Sequence, residues 1–220
     1  ILENNFYNIF FVSFCLMVLI NGANFIDGLN GLLVKYFLLV YLVIFYNFGH
    51  YTTINVDFLE NLIMILLFIL ILNLSGFIYM GDSGAYLLSL FTGIYLIDFS
   101  AQNFFISPYL VIVFLWYPCF ELLFSMIRRY LKRFKAYKPD ALHLHQLIYI
   151  FLKKKLSITN DLVLHFIISV LINLYNLFTF IVSINFIYSS EILISILAVN
   201  IMLYLLFYNF FEKKHKLRNF

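Results

Sequence analysis

Apolar runs about as long as a bilayer is thick recur along this chain, at 6–21, 32–48, 58–79, 84–98, 104–127, 161–187 and 191–211. A helix needs ~20 such residues to cross ~30 Å of hydrocarbon. Only helices and closed barrels satisfy their own backbone polar groups in lipid. The runs therefore predict an all-α fold, a polytopic transmembrane helix bundle of about seven helices. Composition agrees: 64% of the 220 residues are hydrophobic and only 11% charged, which excludes an ordinary soluble domain. The fourth run is short and weakened by Gly93, so it is expected to tilt or to extend past Asp98. No fixed-period repeat and no Pro- or Ser-rich linker divides the chain, so 1–220 reads as a single integral membrane domain.

Basic residues set the orientation, because short cytoplasmic segments collect Lys and Arg. With the first helix running inward, segments 21–35, 80–84, 128–160 and 212–220 hold every Lys and Arg. The opposite segments hold Glu3, Asp57, Glu60, Asp98 and Glu191 and no base. Three polar stretches fall on the basic side: NGANFIDGLNGLL (21–33), MGDSGA (80–85) and PDALHLHQ (139–146). Cys15 and Cys119 lie in apolar runs without CxxC or Cys/His spacing, so neither a disulfide framework nor a zinc site is suggested.

Each polar stretch has two readings. Asn21, Asn24 and Asp27 are spaced by three, so a continuing helix would project them from one face, suited to a nucleotide or phosphate. Gly28 and Gly31 would let a ligand approach the backbone. Alternatively, Asp27 caps the helix starting near Leu32. Asp82 is either the N-cap of the following helix or a carboxylate for Mg²⁺, which takes one or two carboxylates plus substrate phosphates. His143 and His145, three and five residues after Asp140, share a side only on extended backbone, and form either a phosphate-binding loop or a solvated loop; a zinc site there is weak, because the usual ligand spacing and further ligands are absent. Glu121, in WYPCFELLF, should face the bundle interior, where Arg128 or Arg129 could pair with it.

In this order and on one face, NGANFIDGLNGLL, MGDSGAYLLS, the 118–129 stretch and PDALHLHQL resemble the polyprenyl-phosphate N-acetylhexosamine-1-phosphate transferases of glycosyltransferase family 4. The resemblance implies transfer of a sugar 1-phosphate from a UDP-sugar to polyprenyl (undecaprenyl) phosphate, with release of UMP and use of Mg²⁺. By the same resemblance Asp82 is the metal-binding aspartate. Asn21, Asn24 and Asp27 match the motif beside the nucleotide, and Gly28 and Leu29 the backbone along the uracil. His143 and His145 match the loop at the diphosphate. The implied catalytic set is Asp27, Asp82, His143 and His145; the substrate-binding set is Asn21, Asn24, Gly28, Leu29, Asn30 and Asp140. A multi-pass protein of the bacterial inner membrane with a cytoplasmic active face follows. Its expected partners are the bilayer, UDP-sugar, polyprenyl phosphate and a second copy in a homodimer, with no nucleic acid.

The chain departs from the family pattern in several places. Asn30 stands where many members carry aspartate and Gln146 where many carry another histidine, which points toward surface-polysaccharide (O-antigen, lipopolysaccharide) enzymes. Glu121 replaces a usual aspartate. The family's adjacent aspartate pair is absent, and the opening ILENNF has neither Met nor a basic leader region. The chain is thus expected to be the C-terminal part of a larger transferase and inactive alone. Four helices, roughly 100–140 residues, are expected upstream and should carry the pair. Two other readings compete. One is a multi-pass transporter, with Asn73 and Asn173 as midplane candidates. The other is a degenerate, non-catalytic membrane subunit.

Overall fold

A computed structural model describes residues 5–49, 56–131, 142–156 and 158–216. These residues hold eight α-helices and no strand: α1 (Asn5–Ile26), α2 (Leu32–Phe48), α3 (Val56–Leu74), α4 (Gly81–Gln102), α5 (Tyr109–Leu131), α6 (Leu144–Leu156), α7 (Asp161–Ile184) and α8 (Ser190–Lys216). Six of them, α1, α3, α4, α5, α7 and α8, are long and apolar enough to cross a membrane, and α2 is a shorter apolar helix.

α2 is the centre of the bundle. It packs against α1, α3, α4 and α7, and eleven of its seventeen residues are buried, which explains why it is apolar nearly all round. Several polar groups inside the bundle are paired across helices. Pro118 lies within α5, and since proline has no N–H, the Phe114 carbonyl four residues earlier loses its helical donor. Tyr36 of α2 replaces that donor, its hydroxyl reaching the Phe114 carbonyl at 2.9 Å. A Cβ on Gly22 would lie 2.2 Å from the Pro118 carbonyl oxygen, so the glycine is what lets α1 sit directly on α5. Tyr41 donates to Thr92 Oγ1 at 2.9 Å, and Trp116 Nε1 to Asn176 Oδ1 at 2.9 Å.

The structure moves several boundaries expected from the apolar runs. α1 continues five residues beyond 21, so NGANFI is the end of a helix rather than an interruption. α3 stops at Leu74 instead of 79, because Gly76 turns left-handed at φ 76° and the Phe77 N–H returns to the Leu72 carbonyl at 3.0 Å. Asn73 is therefore at a helix end and not at mid-span. α4 runs past Asp98 to Gln102 and begins at Gly81, so Asp82 lies within its first turn. The segment read as one long loop, 128–160, contains the end of α5 and an added helix, α6. At 13 residues α6 is too short to span. It buries Leu144, His145 and Leu147 and carries Lys153, Lys154 and Lys155 in its last turn.

The spans alternate in direction. One end of the bundle gathers the α1–α2 and α3–α4 connections, the C-terminal ends of α5 and α8, all of α6 and the start of α7, along with every described Lys and Arg. At the other end Ser107 joins the α4–α5 and α7–α8 connections, donating its N–H to the Ile187 carbonyl at 2.8 Å.

Candidate active site

The α1–α2 turn is fastened from below. Gly31 is left-handed at φ 80° and caps α2 without a side-chain bond. Its N–H donates to Asn73 Oδ1 at 2.5 Å, and Asn30 Nδ2 donates to the Asn73 carbonyl at 2.8 Å. Asn73 Nδ2 in turn reaches the Ile78 carbonyl at 3.0 Å. His165 of α7 lies 3.3 Å from Asn30 Oδ1. Asn30 is thus buried in the scaffold, as is Leu29, while Gly28 is exposed and Asn24 and Asp27 are partly so. Asn73 and Asn173, the midplane candidates of the transporter reading, both hold helices together: Asn173 Nδ2 donates to the Leu32 carbonyl at 3.1 Å.

Two carboxylates meet above this turn. Asp27 accepts from the backbone N–H of Gly81 and lies close enough to Asp82 to feel its charge. Burial, reinforced by Asp82 and opposed by the Gly81 N–H, pushes Asp27 up to about 7. Neither capping alternative is realised: Gly31 caps α2, and the N-cap of α4 is Met80, with no side-chain bond at either. Asp82 is exposed at the positive end of the α4 dipole. Among the described residues neither carboxylate has a cationic partner, and no three His, Cys, Asp or Glu side chains are grouped to hold a metal. An uncompensated pair of carboxylates at a water-facing edge fits Mg²⁺, which needs only one or two of them when substrate phosphates complete its shell. Asn21 is exposed and bonds its own helix at the Met17 carbonyl; Asn24 Nδ2 lies 3.5 Å from the Tyr86 hydroxyl.

The histidine segment comes up beside Gly28. His143 sits just before α6 and accepts the first helical bond, Leu147 N–H to its carbonyl at 2.9 Å. Gln146, three residues on, reaches back to the His143 N–H at 3.4 Å, as in a capping box. This geometry lets residues two apart share a side although one of them is helical: the rings of His143 and His145 are 5.7 Å apart and within 8° of parallel. Phe25 lies against His143 at 4.9 Å. His145 is fully buried, and neither ring nitrogen has a hydrogen-bond partner. Burial drives it down to about 4, against the opposing pull of Glu121, so it is neutral at ordinary pH. A Cβ on Gly28 would lie 2.6 Å from His145 Nε2, so glycine here permits the contact between the carboxylate turn and the histidine segment. Asp140 lies outside the described residues.

Glu121 is buried, as its sequence position implied, but its partners are His143 and Tyr204 rather than an arginine. His143 Nδ1 lies 3.0 Å from Oε1, and the Tyr204 hydroxyl donates to Oε2 at 2.7 Å. Arg128 bonds Ser125 Oγ at 2.8 Å, the Tyr208 hydroxyl and the Leu142 carbonyl. Sequence reasoning missed both tyrosines. The signal available was the stripe Leu193, Leu197, Asn200, Tyr204 and Tyr208, spaced by threes and fours along α8.

No curated protein and no solved structure matches this chain. Residues 1–100, which include both Asp27 and Asp82, match the family model described as glycosyl transferase family 4. Over those residues, with the polar stretches in the same order on a polytopic helical bundle, the chain is similar to glycosyl transferase family 4.

Proposed function

We propose that this membrane transferase moves a sugar 1-phosphate, of the N-acetylhexosamine type, from a UDP-sugar to polyprenyl phosphate. The match of residues 1–100 to the family model supports a sugar-phosphate transferase in general. The observation that carries the finer reading is the meeting of Asp27 and Asp82 beside Gly28 and His145, at the basic end of the bundle. A soluble diphosphate can reach that edge from water while a lipid phosphate stays in the bilayer. In the reaction an oxygen of polyprenyl phosphate attacks the phosphorus bearing the sugar, the bond to the uridine phosphate breaks, and UMP leaves with its electron pair. Phosphoryl transfer is chiefly positioning and charge neutralisation.

Asp82, with Asp27 beside it, would hold Mg²⁺, which when bound neutralises the diphosphate. Asn21, Asn24 and the exposed backbone of Gly28 line the approach for the nucleotide. His143 and His145 stand behind the diphosphate position: His145 is neutral and buried, and Nε2 of His143, whose Nδ1 faces Glu121, is the ring atom left for a phosphate group. Asn30 and Leu29 act from beneath by fixing the turn. The basic end is the cytoplasmic face of a bacterial inner membrane, and initiation of surface polysaccharide is the corresponding role.

The test is UMP release and labelled-lipid formation from UDP-N-acetylhexosamines and polyprenyl phosphate by the complete protein in membranes. Release that requires both substrates is expected; its absence with every sugar nucleotide tried would overturn the reading. Orientation is checked separately with cysteines placed at Lys154 or Lys214. Modification of either by an impermeant reagent in intact cells would put the site on the wrong face.

A further inference from the structure

The last helix, α8, lies outside the matched segment and at the edge of the bundle, yet it sends two phenol groups inward one helical turn apart. The rings of Tyr204 and Tyr208 are 6.3 Å apart and within 10° of parallel. Each meets a buried charged residue of α5: Tyr204 donates to Glu121 at 2.7 Å, and Tyr208 accepts from Arg128. Glu121 and Arg128 are seven residues apart, so they share a face of α5. Each passes the contact on to one of two neighbouring residues. Glu121 meets the His143 side chain at 3.0 Å, and Arg128 donates to the main-chain carbonyl of Leu142. Two parallel links, Tyr204 to Glu121 to His143 and Tyr208 to Arg128 to Leu142, thus run from α8 to the entrance of α6.

We propose that α8 is the positioning element of the histidine segment, with Tyr204 and Tyr208 fixing the place and tautomer of His143 through Glu121 and Arg128. Glu121 is 0% exposed and has one donor for each oxygen, which fixes its carboxylate plane. A carboxylate can only accept, so His143 Nδ1 carries a proton, and in the neutral ring Nε2 is the acceptor. The main-chain link stops Leu142 from swinging the ring away. α8 is itself tethered: Asn200 Oδ1 accepts from Thr179 Oγ1 at 3.1 Å and from the Tyr175 hydroxyl, both on α7. Phe211 packs on Phe151 of α6 at 5.3 Å. Tyr204, Tyr208, Glu121 and Arg128 are positioning residues, acting on substrate only through His143.

The role in turnover rests on the sugar-phosphate transfer reading; the tautomer does not. The complete protein, labelled with ¹⁵N-histidine in detergent or nanodiscs, gives a spectrum in which His143 is assigned by loss in His143→Gln. One tautomer, protonated at Nδ1, is expected. Tyr204→Phe and the pair Tyr204→Phe with Tyr208→Phe remove hydroxyls but keep the rings against Phe124, and they should give a mixture of tautomers. If the pair does not fold, the single Tyr204→Phe carries the same expectation. An unchanged His143 signal in a folded variant overturns the proposal, as does a wild-type His143 protonated at Nε2 alone. In the transfer assay the same variants should lower kcat roughly tenfold to a hundredfold, the usual effect of losing a partner that orients a histidine, with the sugar-nucleotide KM within about twofold. A higher KM at unchanged kcat overturns the positioning role. A wild-type protein that releases no UMP defeats the transfer reading and leaves the spectrum to decide the tautomer.

Discussion

Asp27 on the α1–α2 turn and Asp82 in the first turn of α4 stand at the membrane edge, whereas His143 and His145 are sealed beneath α5, α6 and α8. The carboxylate half has few internal bonds: Asp82 is exposed and makes none in either turn, and Asp27 has the Gly81 N–H. The histidine half is tied by Glu121, Tyr204 and Gln146. Groups meant to take a charged ligand from water are left uncompensated. His143, which must keep one orientation, is given partners where an unpaired polar group is costly, while His145 is held by burial and by its stack on His143. The two halves touch at Gly28.

The sharpest way to test this division is Asp82→Asn. The side chain caps nothing and is exposed, so folded yield and melting temperature should stay within error, while transfer falls to background at every Mg²⁺ concentration. UMP release assayed against Mg²⁺ reads the result. Near-wild-type release at saturating Mg²⁺ would falsify the metal role and leave Asp82 as a surface residue.

The next comparison uses two glycines six residues apart. At Gly28 an added methyl meets the ring of His145, which can move only by disturbing the stack with His143. Gly28→Ala should therefore cost transfer about a hundredfold, as misplacements near 1 Å do, with modest change in stability. At Gly22 the methyl meets the Pro118 carbonyl, a main-chain atom in the α1–α5 contact. Gly22→Ala should cost stability, about 1–3 kcal/mol as overpacking does, with activity per folded molecule kept. Thermal unfolding and kcat measured on both variants decide it. Equal loss of both quantities in both variants would mean that the site and the bundle are not separable.

Such differences explain what could be read in advance. The carboxylate half was visible because polar, glycine-rich stretches stand out against apolar spans, and the all-α bundle because the spans themselves are near 20 residues. The end of α3 was hidden: Phe77, Ile78 and Tyr79 extend the apolar run past the glycine that stops the helix, which made Asn73 look like a mid-membrane residue. α6 was hidden because 13 residues cannot span and its lysines resemble an ordinary basic loop. The histidines were visible, but their support was not. Tyr204 and Tyr208 sit in a chain where 21% of residues are aromatic, so nothing in composition separates them from lipid-facing neighbours. Only the bundle brings them to Glu121 and Arg128.

The smallest effect expected is in the pH dependence of stability, and it probes how well the histidine half is sealed. Burial lowers His145 to about 4, against about 6.5 for a histidine in the unfolded chain. The fold thus favours the neutral ring. The contribution is fully present above pH ~6.5 and is lost as pH falls toward ~4, where the folded protein must also take up the proton. Melting temperatures of wild type and His145→Gln from about pH 7.5 to about pH 4.5 should therefore converge on the acid side. Other carboxylates and histidines bend both curves, so the quantity to read is the difference between them, in which their shared contribution cancels. A difference that stays constant across this range would mean that His145 keeps its ordinary proton affinity. The ring would then be open to water, and the contrast between a wet carboxylate edge and a dry histidine floor would fail at the residue that joins them.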